Sequence, residues 1–102
     1  MEVEFEDSSL LRLEQDATYD AGHDSAIVRK FRMRMQTIRA AVDERVFYEL
    51  KSLHYEKLKG DRAGQRSMRL NDQWRLILKL KKEEDGKAVA KVVVIVSIAD
   101  YH

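Results

Sequence analysis

Residues 58–80 limit what this chain can fold into more than any other stretch does. The segment opens on Lys59-Gly60-Asp61-Arg62-Ala63-Gly64, where two glycines can take positive φ and let the backbone turn tightly. From Gln65 polar and apolar residues alternate, with Met68 and Leu70 on either side of Arg69, as in a half-buried strand. Asn71-Asp72 is a turn signal, because both residues tolerate left-handed dihedrals and bond to their own backbone. A second strand follows over residues 74–80. Trp74, Leu76, Leu78 and Leu80 share one face, and Arg75, Ile77 and Lys79 share the other. The predicted product is a β-hairpin with a basic loop at one end and arginines standing off its strands.

At 102 residues the chain is expected to form one domain, residues 1–102, around a single modest core. Hydrophobic residues at 44% and charged residues at 36% fit a folded, soluble chain rather than a disordered one. No apolar run approaches the roughly 20 residues of a membrane span, and the N-terminus has no signal-peptide pattern, so a cytoplasmic protein is expected. With no cysteine, disulfides and thiolate metal sites are excluded. The net charge of +1 hides segregation: eight acids face one base in residues 1–24, whereas residues 51–82 hold ten bases and three acids. A polyanion-binding surface is compatible with such a total, as is a merely solvated basic face.

In chain order, residues 3–6 alternate as a short strand with Val3 and Phe5 inward, and Asp7-Ser8-Ser9 caps a helix carrying Leu10, Leu11 and Leu13. A loop with Gly22 and His23 precedes the longest helix, capped by Asp24 or Ser25. Val28, Phe31, Met35, Ile38 and Val42 give that helix an apolar stripe, with Arg29, Lys30, Arg32, Arg34 and Arg39 on its other faces, most of them solvated and some open to contact with nucleic acid or an acidic partner. Asp43-Glu44 starts a further helical turn with Val46, Phe47 and Leu50. A strand pattern resumes over residues 52–58. Asp85-Gly86 is a further turn signal, and the run Val92 to Val96 fits a central strand buried on both faces. The class is α+β: an antiparallel-rich sheet of four to five strands, with two to three helices packed on one face.

No phosphate loop, dinucleotide fingerprint, metal-ligand spacing or nucleophile elbow is present, so no cofactor and no metal are expected. What remains is arginine and lysine density, with Glu56, Tyr101 and His102 as proton handlers. That inventory suits RNA cleavage without metal. A base takes the proton of a 2′-hydroxyl, cations hold the charge of the phosphorane, and an acid protonates the leaving oxygen. Arginine suits the second task because its planar fork is always charged and engages phosphate bidentately. From composition alone, plain RNA or DNA binding stands ahead of this mechanism as a reading of these residues.

The run from Leu58 to Arg75, with the closing Asp100-Tyr101-His102, closely resembles the HigB-type "killer" toxins of the RelE/ParE superfamily. Their pattern is Leu-Lys-Gly-Asp-Arg, a Gly-Gln, an alternating strand, Asn-x-x-Trp/Tyr-Arg and a final Asp-Tyr-His. The resemblance implies a RelE-like fold and a toxin that enters the ribosomal A site and cleaves translated mRNA. It also implies neutralisation by a cognate helix-turn-helix antitoxin of the HigA kind. Carried onto this chain, Arg75 would stabilise the charged transition state, and Tyr101 and His102 would position and move protons, with Asp100 orienting them. Lys57, Lys59, Arg62, Arg66 and Arg69 are the expected RNA-binding cations, although Arg66 and Arg69 have opposite parity and cannot line one site.

One position departs from the pattern. Some members place a functional histidine four residues before the loop glycine. Here Glu56 stands there, with His54 two residues earlier. Either is a candidate base, and either is equally compatible with a structural role. Two other functions stay open: a ParE-like poison of DNA gyrase, and a nucleic-acid-binding module without catalysis. The acidic N-terminal segment either packs against the basic surface or meets a partner's basic surface.

Overall fold

The computed structural model describes residues 1–81 and 90–100. Its elements run β1 (Glu2–Phe5), α1 (Ser8–Gln15), α2 (Ser25–Ala40), α3 (Arg45–Glu49), β2 (Glu56–Lys57), β3 (Gln65–Arg69), β4 (Trp74–Lys81) and β5 (Val92–Asp100), with single 3-10 turns at Lys51–Leu53 and Gly60–Arg62. The strands form one sheet in the order β1-β5-β4-β3-β2. β1 lies parallel to β5 and every other pair is antiparallel, so the helical segment between β1 and β2 acts as the crossover that a parallel pair requires.

The caps fall where the short polar residues predict. Asp7 accepts a hydrogen bond from the Ser9 amide, and Asp24 accepts one from the Ile27 amide, each satisfying a donor that the first helical turn leaves orphaned. Leu10, Leu13, Ile27, Val28, Phe31, Met35, Ile38 and Phe47 from the helices pack against Met68, Leu76, Leu78, Val93 and Ile95 from the sheet. Burying side chains of this size contributes about 1.5–3 kcal/mol each before ordering costs.

Pairing of β4 with β5 slips once, from Ile77 opposite Ser97 to Leu78 opposite Ile95. The extra residue, Val96, resets the alternation so that Ile98 and Ile95 both face the helices. The Asn71 turn forms as expected, its side-chain oxygen accepting from the amides of Gln73 and Trp74. Trp74 is half-buried against the core and meets His23 edge-on, with ring centroids 5.6 Å apart, which ties the 16–24 loop to the hairpin.

Three expectations change. Residues 52–58 are not a continuous strand. Lys51–Leu53 is a 3-10 turn, His54 is left-handed at φ 44°, and only Glu56 and Lys57 pair with β3. Val42 is 64% exposed because α2 ends at Ala40 and buried Ala41 takes the core position instead. Arg34, assigned by pattern to a solvated face, is buried among the core positions of α2. The Asp85-Gly86 turn lies outside the described residues.

Candidate functional site

The parity read from the hairpin sends Arg75 to the sheet face opposite the helices, since its neighbours Trp74 and Leu76 pack on the core side. There its side chain is 14% exposed. Nε donates to the Ser67 hydroxyl at 2.8 Å, and Nη2 donates to the His54 carbonyl. The Glu56 carboxylate stands 3.5 Å from Nη2. Ser67 itself is fully buried on β3, so its hydroxyl has one fixed neighbourhood and holds the guanidinium plane in one orientation. The Ser67 hydroxyl, the His54 carbonyl and the half-exposed Glu56 carboxylate are among the groups that position this cation.

Arg69 sits directly opposite Arg75 across the β3–β4 ladder. Its guanidinium is tied to Asp72, in the hairpin turn, by a short hydrogen bond. Together His54, Arg69, Asn71, Asp72 and Arg75 line a cavity of about 220 Å³. A second cavity of about 370 Å³ adjoins it and shares His54, Arg69 and Asn71, with Lys30, Arg34 and Ser52 completing its wall.

His54 reaches this place through an irregular turn rather than along a strand. Its αL conformation is uncommon for a residue with a side chain, though histidine is one of the types enriched there. The turn is held from both sides, by Arg75 on the His54 carbonyl and by Arg34 Nη2 on the Ser52 carbonyl at 3.4 Å. Strand parity would put His54 and Glu56 in one groove; both do lie beside Arg75, but through this turn.

The other sequence-predicted residues divide into groups. Arg66 is not brought to this groove. It shares parity with core residue Met68, donates to the Glu44 carboxylate at 3.1 Å, and is 19% exposed on the helix side of the sheet. Lys57 pairs in register with Arg66 and so lies on that side too. Lys59 and Arg62 are exposed in the loop that joins β2 to β3, at the Gln65 end. Four residue steps along β3 separate Gln65 from Arg69, so at about 3.4 Å each the loop end of the strand lies roughly 14 Å from the Arg69–Arg75 pair. Asp100 ends β5 opposite Trp74 and accepts from the Gln73 side chain at 3.1 Å. Tyr101 and His102 lie outside the described residues.

Sequence reasoning missed Ser67 and left Lys30 and Arg34 undistinguished among the helix cations. A signal for Arg34 existed: it falls three residues after Phe31 and four before Ile38, inside the apolar stripe, where a charge needs a reason. Burial, and to a smaller extent the nearby Arg69 charge, hold its guanidinium below the ordinary arginine range. Behind the site, the Tyr55 phenol donates to Glu44 at 2.6 Å, and burial followed by that bond pushes its pKa up.

A family model described as the HigB-like toxin, RelE-like toxin of type II toxin-antitoxin system HigB, matches residues 3–99. The chain belongs to this family. It is thus a RelE-like toxin of a type II toxin–antitoxin system. No curated protein sequence matches it. Among solved structures, the YoeB/ParE toxin from Agrobacterium tumefaciens is similar, with TM-score 0.58, 18% identity and full coverage of both chains. YafQ from E. coli strain BL21(DE3) aligns with TM-score 0.57 and 17% identity over 97% of this chain and 91% of that one. The YoeB-YefM complex from Staphylococcus aureus gives TM-score 0.57 and 19% identity over 100% of this chain and 97% of that one. At such identities these structures speak to the fold, which they share with this HigB-like chain. No helix among its described residues is long and apolar enough to cross a membrane.

Proposed function

We propose that this toxin is a ribosome-dependent endoribonuclease that cuts translated mRNA by attack of a 2′-hydroxyl on the adjacent phosphate, without a metal ion. The observation that carries this reading is the Arg75 guanidinium. It is largely buried, fastened by the Ser67 hydroxyl and the His54 carbonyl, and faces a cavity shared with Arg69 and His54. A cation prepositioned in this way needs little reorganisation as negative charge builds on a phosphorane, which is the condition for strong transition-state stabilisation. Phosphate would displace the half-exposed Glu56 carboxylate from Arg75, and so free it beside the reacting centre.

In this reading Glu56 or His54 takes the 2′-hydroxyl proton. Tyr101 and His102 supply the proton for the leaving oxygen, with Asp100 orienting them, as the family resemblance implies. Arg69 grips the RNA backbone in the same groove. Lys59 and Arg62 engage phosphates further along, since a strand of RNA several nucleotides long spans the roughly 14 Å of β3 between them. The toxin acts in the cytoplasm on the ribosome and is neutralised by a HigA-like antitoxin with a helix-turn-helix domain. Partnership of this kind is supported by the YoeB-YefM complex among the similar folds.

The test is to map cuts and product ends on a translated reporter mRNA, with and without ribosomes. Cuts only on ribosomes, leaving 2′,3′-cyclic phosphate ends, are expected. Ends carrying a free 3′-hydroxyl would mean that water rather than the 2′-hydroxyl attacks. Growth arrest without any cuts would move the target to DNA gyrase.

A further inference from the structure

Arg34 is a charged side chain kept where apolar ones belong. It is 8% exposed, with Phe31, Met35 and Ile38 as buried neighbours on α2. Its Nε donates to the Arg69 carbonyl at 2.8 Å and its Nη2 to the Ser52 carbonyl at 3.4 Å. Among the described residues no carboxylate forms an ion pair with it, and its nearest charge of consequence is the like-charged Arg69. Hydrogen bonds to carbonyls satisfy donors but leave the net charge uncompensated, and a buried uncompensated charge is costly. An anion placed beside Arg34 would supply the missing compensation.

Where that anion would sit is open to solvent. Arg34 lines the 370 Å³ cavity with Lys30, which stands one helical turn earlier on the same face of α2, and with His54, Arg69 and Asn71. No carboxylate is among the residues lining it. The cavity adjoins the Arg75 groove, and the two guanidiniums grip the same turn, Arg34 at the Ser52 carbonyl and Arg75 at the His54 carbonyl. Two residues of chain separate those carbonyls, at most roughly 7 Å between Cα atoms. That is the scale of a single nucleotide step.

We infer that Arg34 and Lys30 form a second anion subsite, which holds an RNA phosphate next to the one engaged by Arg75. The inference rests on the endoribonuclease reading and deepens it by fixing how the RNA strand runs: from the Arg75 groove over the 52–54 turn toward α2. An acidic peptide is disfavoured as the occupant because the subsite continues directly into a groove suited to phosphate.

The test measures binding of a fluorescent 2′-O-methyl RNA octamer, which cannot be cut, across a range of salt concentrations. Each phosphate contact to a single strand contributes about 0.7 to the slope of log affinity against log salt. Lys30→Gln and Arg34→Gln should each lower the wild-type slope by about that amount, and Arg75→Gln should do the same from the neighbouring groove. Lys30 is exposed, so Lys30→Gln carries the test even where Arg34→Gln melts early. A slope lowered by Arg75→Gln but untouched by Lys30→Gln would overturn the subsite while leaving the endoribonuclease reading intact. A wild-type protein with no salt-dependent RNA affinity would overturn both. Lys30→Gln weakening the antitoxin complex, with the RNA slope unchanged, would assign the pocket to an acidic peptide instead and overturn the proposal. Binding to ribosomes with and without mRNA separates the two sources of phosphate. A Lys30→Gln loss seen only with mRNA supports an mRNA phosphate, and an equal loss in both supports a ribosomal one.

Discussion

The two ends of one sheet face treat their cations differently. At the β1 end, Lys79 meets Glu6 at 3.2 Å and Lys81 meets Glu4 at 3.5 Å, with all four side chains 44–60% exposed. At the hairpin end, Arg75 is 14% exposed and is fastened by a buried serine and a backbone carbonyl. The lysines are solvated and neutralised by the acidic N-terminal strand. The arginine is desolvated and aimed. Charge count does not distinguish these ends; the partners do. Ion pairs of the first kind contribute about 0–1 kcal/mol and shield the protein from indiscriminate binding. A cation of the second kind has given up its water in advance, which is what strengthens its hold on a developing negative charge.

The largest expected effect follows from removing the aimed cation. Arg75→Ala should restore growth of cells expressing the toxin, with the folded circular dichroism spectrum kept; continued arrest would erase the distinction between the ends. Ser67→Ala is milder, since it removes the hydroxyl that orients Arg75 and leaves a side chain of nearly the same shape. A hydrogen bond to a charged group is worth about 1.5–3 kcal/mol, so a fall of roughly ten- to a hundredfold in cleavage rate is expected, with a melting temperature lowered by several degrees.

A pH experiment compares the exposed pairs with a buried carboxylate whose partner arginine is exposed. Asp43 accepts three hydrogen bonds from Arg45, one of them from its amide, and these lower its carboxyl from 3.8 to about 2. Its contribution to stability is therefore full above pH ~4 and is lost as pH falls through about 2. Asp43→Asn should flatten that part of the acid melting profile, and the two proteins should converge near pH 2. The smallest effect is expected of Glu4→Gln with Glu6→Gln, which should shift stability by less than about 1 kcal/mol. Antitoxin affinity, titrated with the same pair, decides whether the acidic strand also meets a partner; unchanged affinity leaves it the local neutralising role seen here.

Much of this arrangement was legible in the sequence because it depends on local signals. Asp7, Asp24 and Asn71 fix their turns through their own side chains, and alternation alone sends Arg75 and Trp74 to opposite faces. The valine run marked β5 as a buried strand, flanked by β1 and β4. What stayed hidden depends on distant partners. Residues 52–55 alternate as a strand would, yet two arginines from α2 and β4 hold their carbonyls and bend them into a turn. Nothing near Arg34 announced that its donors would find carbonyls on β3 and that turn. Arg66 looked like its neighbours in a basic segment until Glu44, twenty-two residues earlier, claimed it.

The most direct measurement is the single-turnover rate of mRNA cleavage on programmed ribosomes for wild type, Arg75→Ala and the Glu4→Gln, Glu6→Gln double variant. A loss of about 10²- to 10³-fold is expected for Arg75→Ala, as for removal of one preorganised transition-state donor, with a wild-type rate for the double variant. Equal rates for all three proteins would contradict this expectation.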